Sequence, residues 1–295
     1  MFELIKINEK CYYIESPVKV GVVKLNDTDV VMIDGGSDKD AGKRILRVLN
    51  GEGWNLKAIY NTHSHADHSG GNHYLQENTG CKVYSYGVER HFVQDPILEP
   101  GILYGGFPFK ELQHKFLMAQ KSDCLEMTDD VLPEGMEILH LEGHAMDMVG
   151  FKVGNVAYIG DAVSSREVLD KYGIQYTWNV GDYLESLEKL KDIDAELFVP
   201  AHVAPMDKEE LLELAGYNRK VTAEIIEKVQ ELLAEPKTFE QLLKEVFDSY
   251  EMAMNVRQYA LIGSTLKAYI TYLKEAGKIT YMFEDNRMLW KTVQD

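Results

Sequence analysis

The chain has 295 residues, enough to bury one sizeable core plus a smaller second unit. Hydrophobic residues make up 45% and charged residues 27%, the composition of an ordinary globular protein. Lys+Arg 31 against Asp+Glu 48 gives a net charge of −17, which argues against passive attraction to nucleic acid or an anionic membrane.

Met1 to Lys6 does not read as a signal peptide, because Glu3 interrupts it and no long apolar core follows. No apolar run approaches the ~20 residues needed to span a bilayer. Cys11, Cys81 and Cys124 are odd in number and widely spaced, which fits structural thiols in a reducing cytoplasm. Cytoplasmic localisation is the expectation.

Cys11 to Glu15, Val20 to Leu25 and Val30 to Ile33 are consecutive β-rich runs and predict an antiparallel meander, with Asn26-Asp27 as a hairpin turn. Ile33-Asp34-Gly35-Gly36 ends the third strand. Asp34 has two readings: a carboxylate standing behind a ligand histidine, or the cap of the turn before the next helix. Asp40 to Leu49 has helical spacing of Ile45, Val48 and Leu49.

Ala58 to Asn61 reads as a short buried strand, and Thr62 to Gly71 follows as Thr-His-Ser-His-Ala-Asp-His-Ser-Gly-Gly. Four metal-ligand side chains, His63, His65, Asp67 and His68, fall within six positions. Charged, they would repel; buried neutral, they would need many hydrogen-bond partners. A divalent metal resolves both problems, since imidazole nitrogen and carboxylate oxygen suit Zn2+ and its neighbours. The competing reading is an exposed His-rich loop. Gly70-Gly71 is expected to allow a tight turn before a helix starting at Asn72.

Lys82 to Ser85 is strand-like. Residues 94–119 break the rhythm with Pro96, Pro100, Pro108 and several glycines among aromatic residues, and read as a long irregular wall of a substrate site. His114 and Lys115 there are either substrate contacts or exposed side chains. Three further strand-like runs each deliver one ligand type just past their ends. Glu137 to Leu141 precedes Gly143-His144, Val156 to Ile159 precedes Gly160-Asp161, and Leu197 to Pro200 precedes Ala201-His202. Four repeats of strand-then-ligand point to one shared site.

The order Ile33 to Gly36, Thr62 to Gly71, Gly143-His144, Gly160-Asp161 and Pro200 to His202 resembles the metallo-β-lactamase superfamily of metal-dependent hydrolases. The resemblance spans most of residues 1–205. It implies an α/β fold: an αββα sandwich of two facing mixed sheets, helices outside and metals at one edge. It also implies two divalent ions, zinc first with iron or manganese as alternatives. His63, His65 and His144 would hold one ion, Asp67, His68 and His202 the other, with Asp161 bridging. Adjacent Asp67 and His68 diverge while His63 and His65, two apart, can align, which divides the first cluster into two half-sites; the ligand sets themselves are what the resemblance implies. Asp67 is also the candidate catalytic residue, orienting a metal-bound hydroxide and taking up its proton. One departure is visible. His144 is followed by Ala145-Met146-Asp147-Met148, where the family commonly has Thr and then Gly-Ser. Asp147 is either a substrate-orienting group or a turn residue.

Asp182 to Lys191 has helical spacing, and after His202 the pattern stays helical. Lys208–Leu214 and Ala223–Leu233 read as two helices. Thr238 with Gln241 forms a capping box, Gln258–Ala276 is a long amphipathic helix stopped by Gly277, and a β-hairpin closes the chain. This order resembles a winged helix and places a mostly helical second domain at 206–295 after a hydrolase domain at 1–205. That second unit holds 12 Lys/Arg and 16 Asp/Glu. A net of −4 argues against DNA binding and favours a structural role, flanking the site or forming a homodimer.

The expected function is hydrolysis of an ester, thioester, lactone or phosphodiester bond in a small-molecule substrate. The alternatives are a mononuclear iron persulfide dioxygenase, and a winged-helix metal-sensing regulator without catalysis.

Overall fold

The computed structural model describes residues 2–293. Strands β1 (Glu3–Lys6), β2 (Cys11–Glu15), β3 (Val20–Lys24) and β4 (Asp29–Ile33) form an antiparallel meander. β1 gave no sequence signal because it is short, has Glu and Lys at its ends, and is nowhere fully buried. Asn26 Oδ1 builds the β3–β4 turn by accepting from the Thr28 and Asp29 amides at 3.0 and 2.9 Å.

Helix α1 (Lys39–Gly51), capped by Asp38, leads to β5 (Asn55–Tyr60), which pairs in parallel with β4. Helices α2 (Ala66–Ser69) and α3 (Asn72–Thr79) lead to β6 (Lys82–Ser85). Helices α4 (Glu89–Gln94) and α5 (Leu98–Tyr104) lead to β7 (Cys124–Glu126), completing a seven-stranded sheet in chain order. The second sheet holds β8 (Met136–His140), β9 (Val149–Val153), β10 (Val156–Gly160) and β11 (Leu197–Pro200). Its first three strands are antiparallel and β11 joins β10 in parallel.

The run Val30-Val31-Met32-Ile33 is apolar throughout because β4 is buried on both faces. Val31 and Ile33 join Phe151, Tyr158 and Val199 in the core between the sheets. Val30 and Met32 point the other way, toward Ile45 and Leu49 of α1. Helix α6 (Arg166–Tyr172) follows β10, and α7 (Val180–Lys189) precedes β11. On the outside of the second sheet, Leu187 of α7 packs with Leu211 and Leu214 of α8 (Lys208–Leu232). The expected αββα sandwich is present.

Two expectations need correction. The first is that 208–214 and 223–233 form separate helices; α8 is continuous. Asn218, whose side chain would otherwise compete for the backbone, is buried and fully engaged. It donates to the Leu214 and Ser164 carbonyls, and accepts from the Ser164 amide and the Tyr183 hydroxyl. The second is that residues 94–119 are irregular. Instead they hold α5 and a 3-10 turn at Lys110–Leu112. Pro100 fits because it lies in the first turn of α5, where a missing N–H costs no helical bond.

Helix α9 (Phe239–Ser249) starts with the expected Thr238–Gln241 capping box. Helix α10 (Val256–Glu275) follows, with Gly277 beyond it at φ +69. Strands β12 (Ile279–Glu284) and β13 (Arg287–Thr292) pair as the closing hairpin. The helices share one core with the preceding chain, since Ile174 and Val180 pack among Ile225, Leu242, Leu266 and Leu273. All three cysteines are buried and free. Among the described residues, no helix is long and apolar enough to cross a membrane.

Candidate metal centre

Every strand that carries a ligand candidate ends at the same edge of the sandwich. His63 and His65 leave β5, Asp67 and His68 lie on α2, His144 follows β8, Asp161 follows β10, and His202 follows β11. His63, His65 and His144 place ring nitrogens within 4.8 Å of one another, and Asp67, His68 and His202 place ligand atoms equally close. Asp161 stands between these sets. Its oxygens lie 3.5 Å from His144 Nε2, 3.4 Å from His68 Nε2 and 3.4 Å from His202 Nε2. His202 Nε2 is also 3.2 Å from Asp67.

Hydrogen bonding behind the rings decides which nitrogens face inward. Asp34 Oδ2 lies 2.8 Å from His68 Nδ1 and accepts the Thr62 hydroxyl at 2.9 Å; Oδ1 accepts the Thr62 amide at 2.8 Å. A carboxylate only accepts, so His68 carries its proton on Nδ1. The Thr62 hydroxyl has spent its proton on Asp34, so at 3.0 Å it accepts from His63 Nδ1. One carboxylate therefore fixes two tautomers, leaving His63 Nε2 and His68 Nε2 as inward lone pairs. These two atoms and Asp161 Oδ1 are buried without any hydrogen-bond partner. Such atoms are costly unless something binds them, and a divalent cation suits this donor set. Of the two readings of Asp34, the geometry is that of a carboxylate behind a histidine.

Charge agrees. Burial pushes His63 well below its usual pKa, and pushes His65 and His144 down to about 4, so these rings are neutral. Asp161 raises His202 to about 10 against burial. Burial opposes charge on His68, but Asp161, Asp67 and Asp34 outweigh it and raise its pKa. Around His68 and His202 the carboxylates thus create a field that favours positive charge.

The glycine pair in the first cluster acts differently from expectation. Gly71 and Gly70 have ordinary helical φ values; what they permit is close approach. A Cβ on Gly71 would stand 2.1 Å from the Gly35 carbonyl oxygen, and one on Gly70 2.3 Å from that of Ser37. The turn after β4 can therefore lie directly against the ligand loop, bringing Asp34 to His68.

A cleft of about 160 Å³ opens beside the cluster, lined by His65, Asp67, His144 and Asp161 together with Glu99, Phe116, Leu117, Tyr176 and Leu261. Sequence reasoning missed Glu99 and Tyr176; Leu261 lies in the amphipathic helix expected at 258–276. Glu99 lies on α5, 3.5 Å from His65 Nε2, and burial with nearby Glu89 and Asp67 pushes it up to about 8. The Tyr176 ring stands edge-on to His65 and His144, at 5.2 and 5.7 Å between centroids. Leu261 comes from α10. No local pattern marks Glu99 or Tyr176, because only tertiary packing brings them in. From the segment 94–119, Glu99, Phe116 and Leu117 line this cleft. Lys115 instead pairs with Asp38 at 3.1 Å, His114 is exposed beside Phe116, and neither lines the cleft. Asp147 is also outside it. Its Oδ2 accepts the Val88 amide at 2.7 Å, so of its two readings the structure supports a turn-stabilising residue.

Residues 13–202 match the pattern of the metallo-beta-lactamase superfamily. The chain belongs to that superfamily. Among curated proteins, the hydroxyacylglutathione hydrolase of Maricaulis maris is 27% identical over 121 residues, 40% of this chain and 38% of that protein. That of Rhodospirillum rubrum is 24% identical over 173 residues, 55% of this chain and 54% of that one. The chain thus spans about half, or less, of the length of these relatives. A metallo-beta-lactamase family protein from Thermus thermophilus superposes with a TM-score of 0.71 at 19% identity, covering 99% of this chain and 98% of that one. At that identity the likeness speaks to fold alone.

Proposed function

We propose that this protein is a metal-dependent hydrolase that binds two divalent ions, zinc foremost, and cleaves a thioester or a related ester, lactone or phosphodiester bond of a small molecule. The observation that carries the reading is the pair of ligand sets meeting at Asp161, with three inward-facing polar atoms buried and unpartnered. His63, His65 and His144 would hold one ion, Asp67, His68 and His202 the other, and Asp161 would touch both. Bound there, such ions polarise a carbonyl or phosphoryl oxygen and acidify water toward neutral pKa.

The chain's own residues have separable tasks. Asp34 and Thr62 hold the tautomers of His68 and His63. To Asp67, partly exposed beside the cleft, we assign the task of orienting a water and accepting its proton. Phe116, Leu117, Tyr176 and Leu261 give the cleft apolar walls that admit an acyl group and limit water. The thioester is placed first because the curated relatives are named for an acyl-glutathione substrate, whose acyl group sits on sulfur.

A single-iron dioxygenase would use one ligand set, and the second set would have no task. For a metal-sensing regulator, the acidic helical unit offers little to phosphates. We assign 1–205 to the hydrolase sandwich and 206–295 to a helical unit that closes its cleft through Leu261. The test is elemental analysis of metal-saturated protein together with turnover of thioester, ester, lactone and phosphodiester panels. Two ions per chain and thioester turnover are expected. At most one ion, or oxygen-dependent persulfide consumption, refutes the reading.

A further inference from the structure

The residues that replace the family's usual sequence after His144 find a partner far away in the chain. Glu89, the first residue of α4, is 2% exposed, yet both of its oxygens are engaged. Oε2 accepts the Ser64 amide at 2.8 Å, and Oε1 accepts the Asp147 amide at 3.2 Å. Asp147 answers with its own side chain, accepting the Val88 amide at 2.7 Å. Ser64 lies between His63 and His65, and Asp147 lies three residues beyond His144. One buried carboxylate thus ties together the two loops whose rings meet, His65 Nδ1 and His144 Nε2 standing 3.0 Å apart.

We propose that Glu89 and Asp147 form a positioning clamp that sets the spacing of His65 and His144, and so tunes the first ion site separately from the second. The proposal rests on the two-ion reading. A carboxylate is costly to bury, and two backbone amides at fixed positions compensate it only while both loops stay in place. The clamp therefore resists loop separation in either direction. It does not touch Asp67, His68 or His202, and of these His68 is held instead by Asp34. Gly87 belongs to the device: at φ +52, a Cβ there would stand 2.1 Å from Asp147 Oδ2. A side chain at position 87 would push Asp147 away without altering either acid.

The full-length chain carries the test. Zinc affinity is measured by chelator competition in two backgrounds. His202→Ala leaves the first set intact, and His144→Ala leaves the second. Glu89→Gln, Asp147→Ala and Gly87→Ala should each weaken zinc about tenfold or more at the first set and by less than about threefold at the second. Glu89→Gln preserves volume and removes the buried charge, so it keeps the comparison interpretable where a larger truncation unfolds the chain. Equal losses in both backgrounds, or no loss in the first, overturn the clamp. Amide hydrogen exchange of the metal-free wild-type and Glu89→Gln proteins gives a second reading. Ser64 and Asp147 should be protected in the wild type and lose protection together in the variant; unchanged or unlinked exchange refutes the proposal. If wild-type protein binds fewer than two ions, the two-ion reading fails, and the exchange comparison alone decides the clamp.

Discussion

Replacing Asp34 with Asn should damage the second ligand set by a calculable amount. Asp34 sits at φ +66, a conformation Asn tolerates, so backbone strain contributes little. The carboxylate receives the Thr62 amide on Oδ1, and His68 Nδ1 and the Thr62 hydroxyl on Oδ2. An amide has one oxygen. If that oxygen keeps His68, the new NH2 group faces the Thr62 amide; if it turns to Thr62, the NH2 group faces His68 Nδ1–H. Either way one buried donor loses its acceptor, at about 1–3 kcal/mol, and the surviving bond loses its charge assistance. His68 can escape by moving its proton to Nε2, which removes the lone pair aimed at the ion. The expected loss is about 10- to 100-fold in zinc affinity, or about 1.4–2.7 kcal/mol, at the set formed by Asp67, His68 and His202. Chelator competition in the His144→Ala background measures it. An affinity within about threefold of the parent, roughly 0.65 kcal/mol, would refute the tautomer argument.

Other outcomes follow from the same geometry. Thr62→Val removes the acceptor for His63 Nδ1 and should weaken the first set by about tenfold, checked in the His202→Ala background. Asp161→Ala removes the carboxylate next to both sets and should lower metal content and turnover together; two tightly held ions with most activity retained would contradict its central role. Leu261→Ala opens the apolar wall while leaving every ligand in place, so KM should rise with metal content unchanged. Truncation before Met206 strips Leu211 and Leu214 from the second sheet's outer face and Leu261 from the cleft. The truncated chain should aggregate on size-exclusion chromatography, and a monodisperse, fully active product would contradict that.

The seven candidate ligands were legible because their chemistry is dense and each follows a short apolar run. That signal is local: β5, β8, β10 and β11 each announce themselves in four to six residues, and the ligands come just after. Asp34 was half legible, since its position after β4 is local but its partners Thr62 and His68 lie 28 and 34 residues away. Glu89 was invisible. In sequence it is an ordinary acidic residue opening a short helix, and only the fold places it between Ser64 and Asp147. The same reason explains α8. Separate helices at 208–214 and 223–233 were expected, but Asn218 is held by Ser164 and Tyr183, which no window along the chain contains.

The position of α8 also bears on how the two halves of the chain work together. Its first turns supply Leu211 and Leu214 to the sandwich, while Ile225 and Val229 further along belong to the core shared with α9 and α10. One rigid helix therefore carries both cores, and a hinge at residue 206 would have to break it or tear it from the second sheet. Helix α10 is positioned from that shared core, with Leu266, Tyr269, Ile270 and Leu273 buried in it. On another face it presents Ala260 and Leu261 to Leu103, Leu112 and Leu117. The wall of the cleft is thus set by a helix anchored in the core that α8, α9 and α10 share with Ile174 and Val180. A helical unit placed this way needs no positive face to have a task, which is consistent with its net charge of −4. It fixes the shape of the apolar wall opposite the candidate ligands.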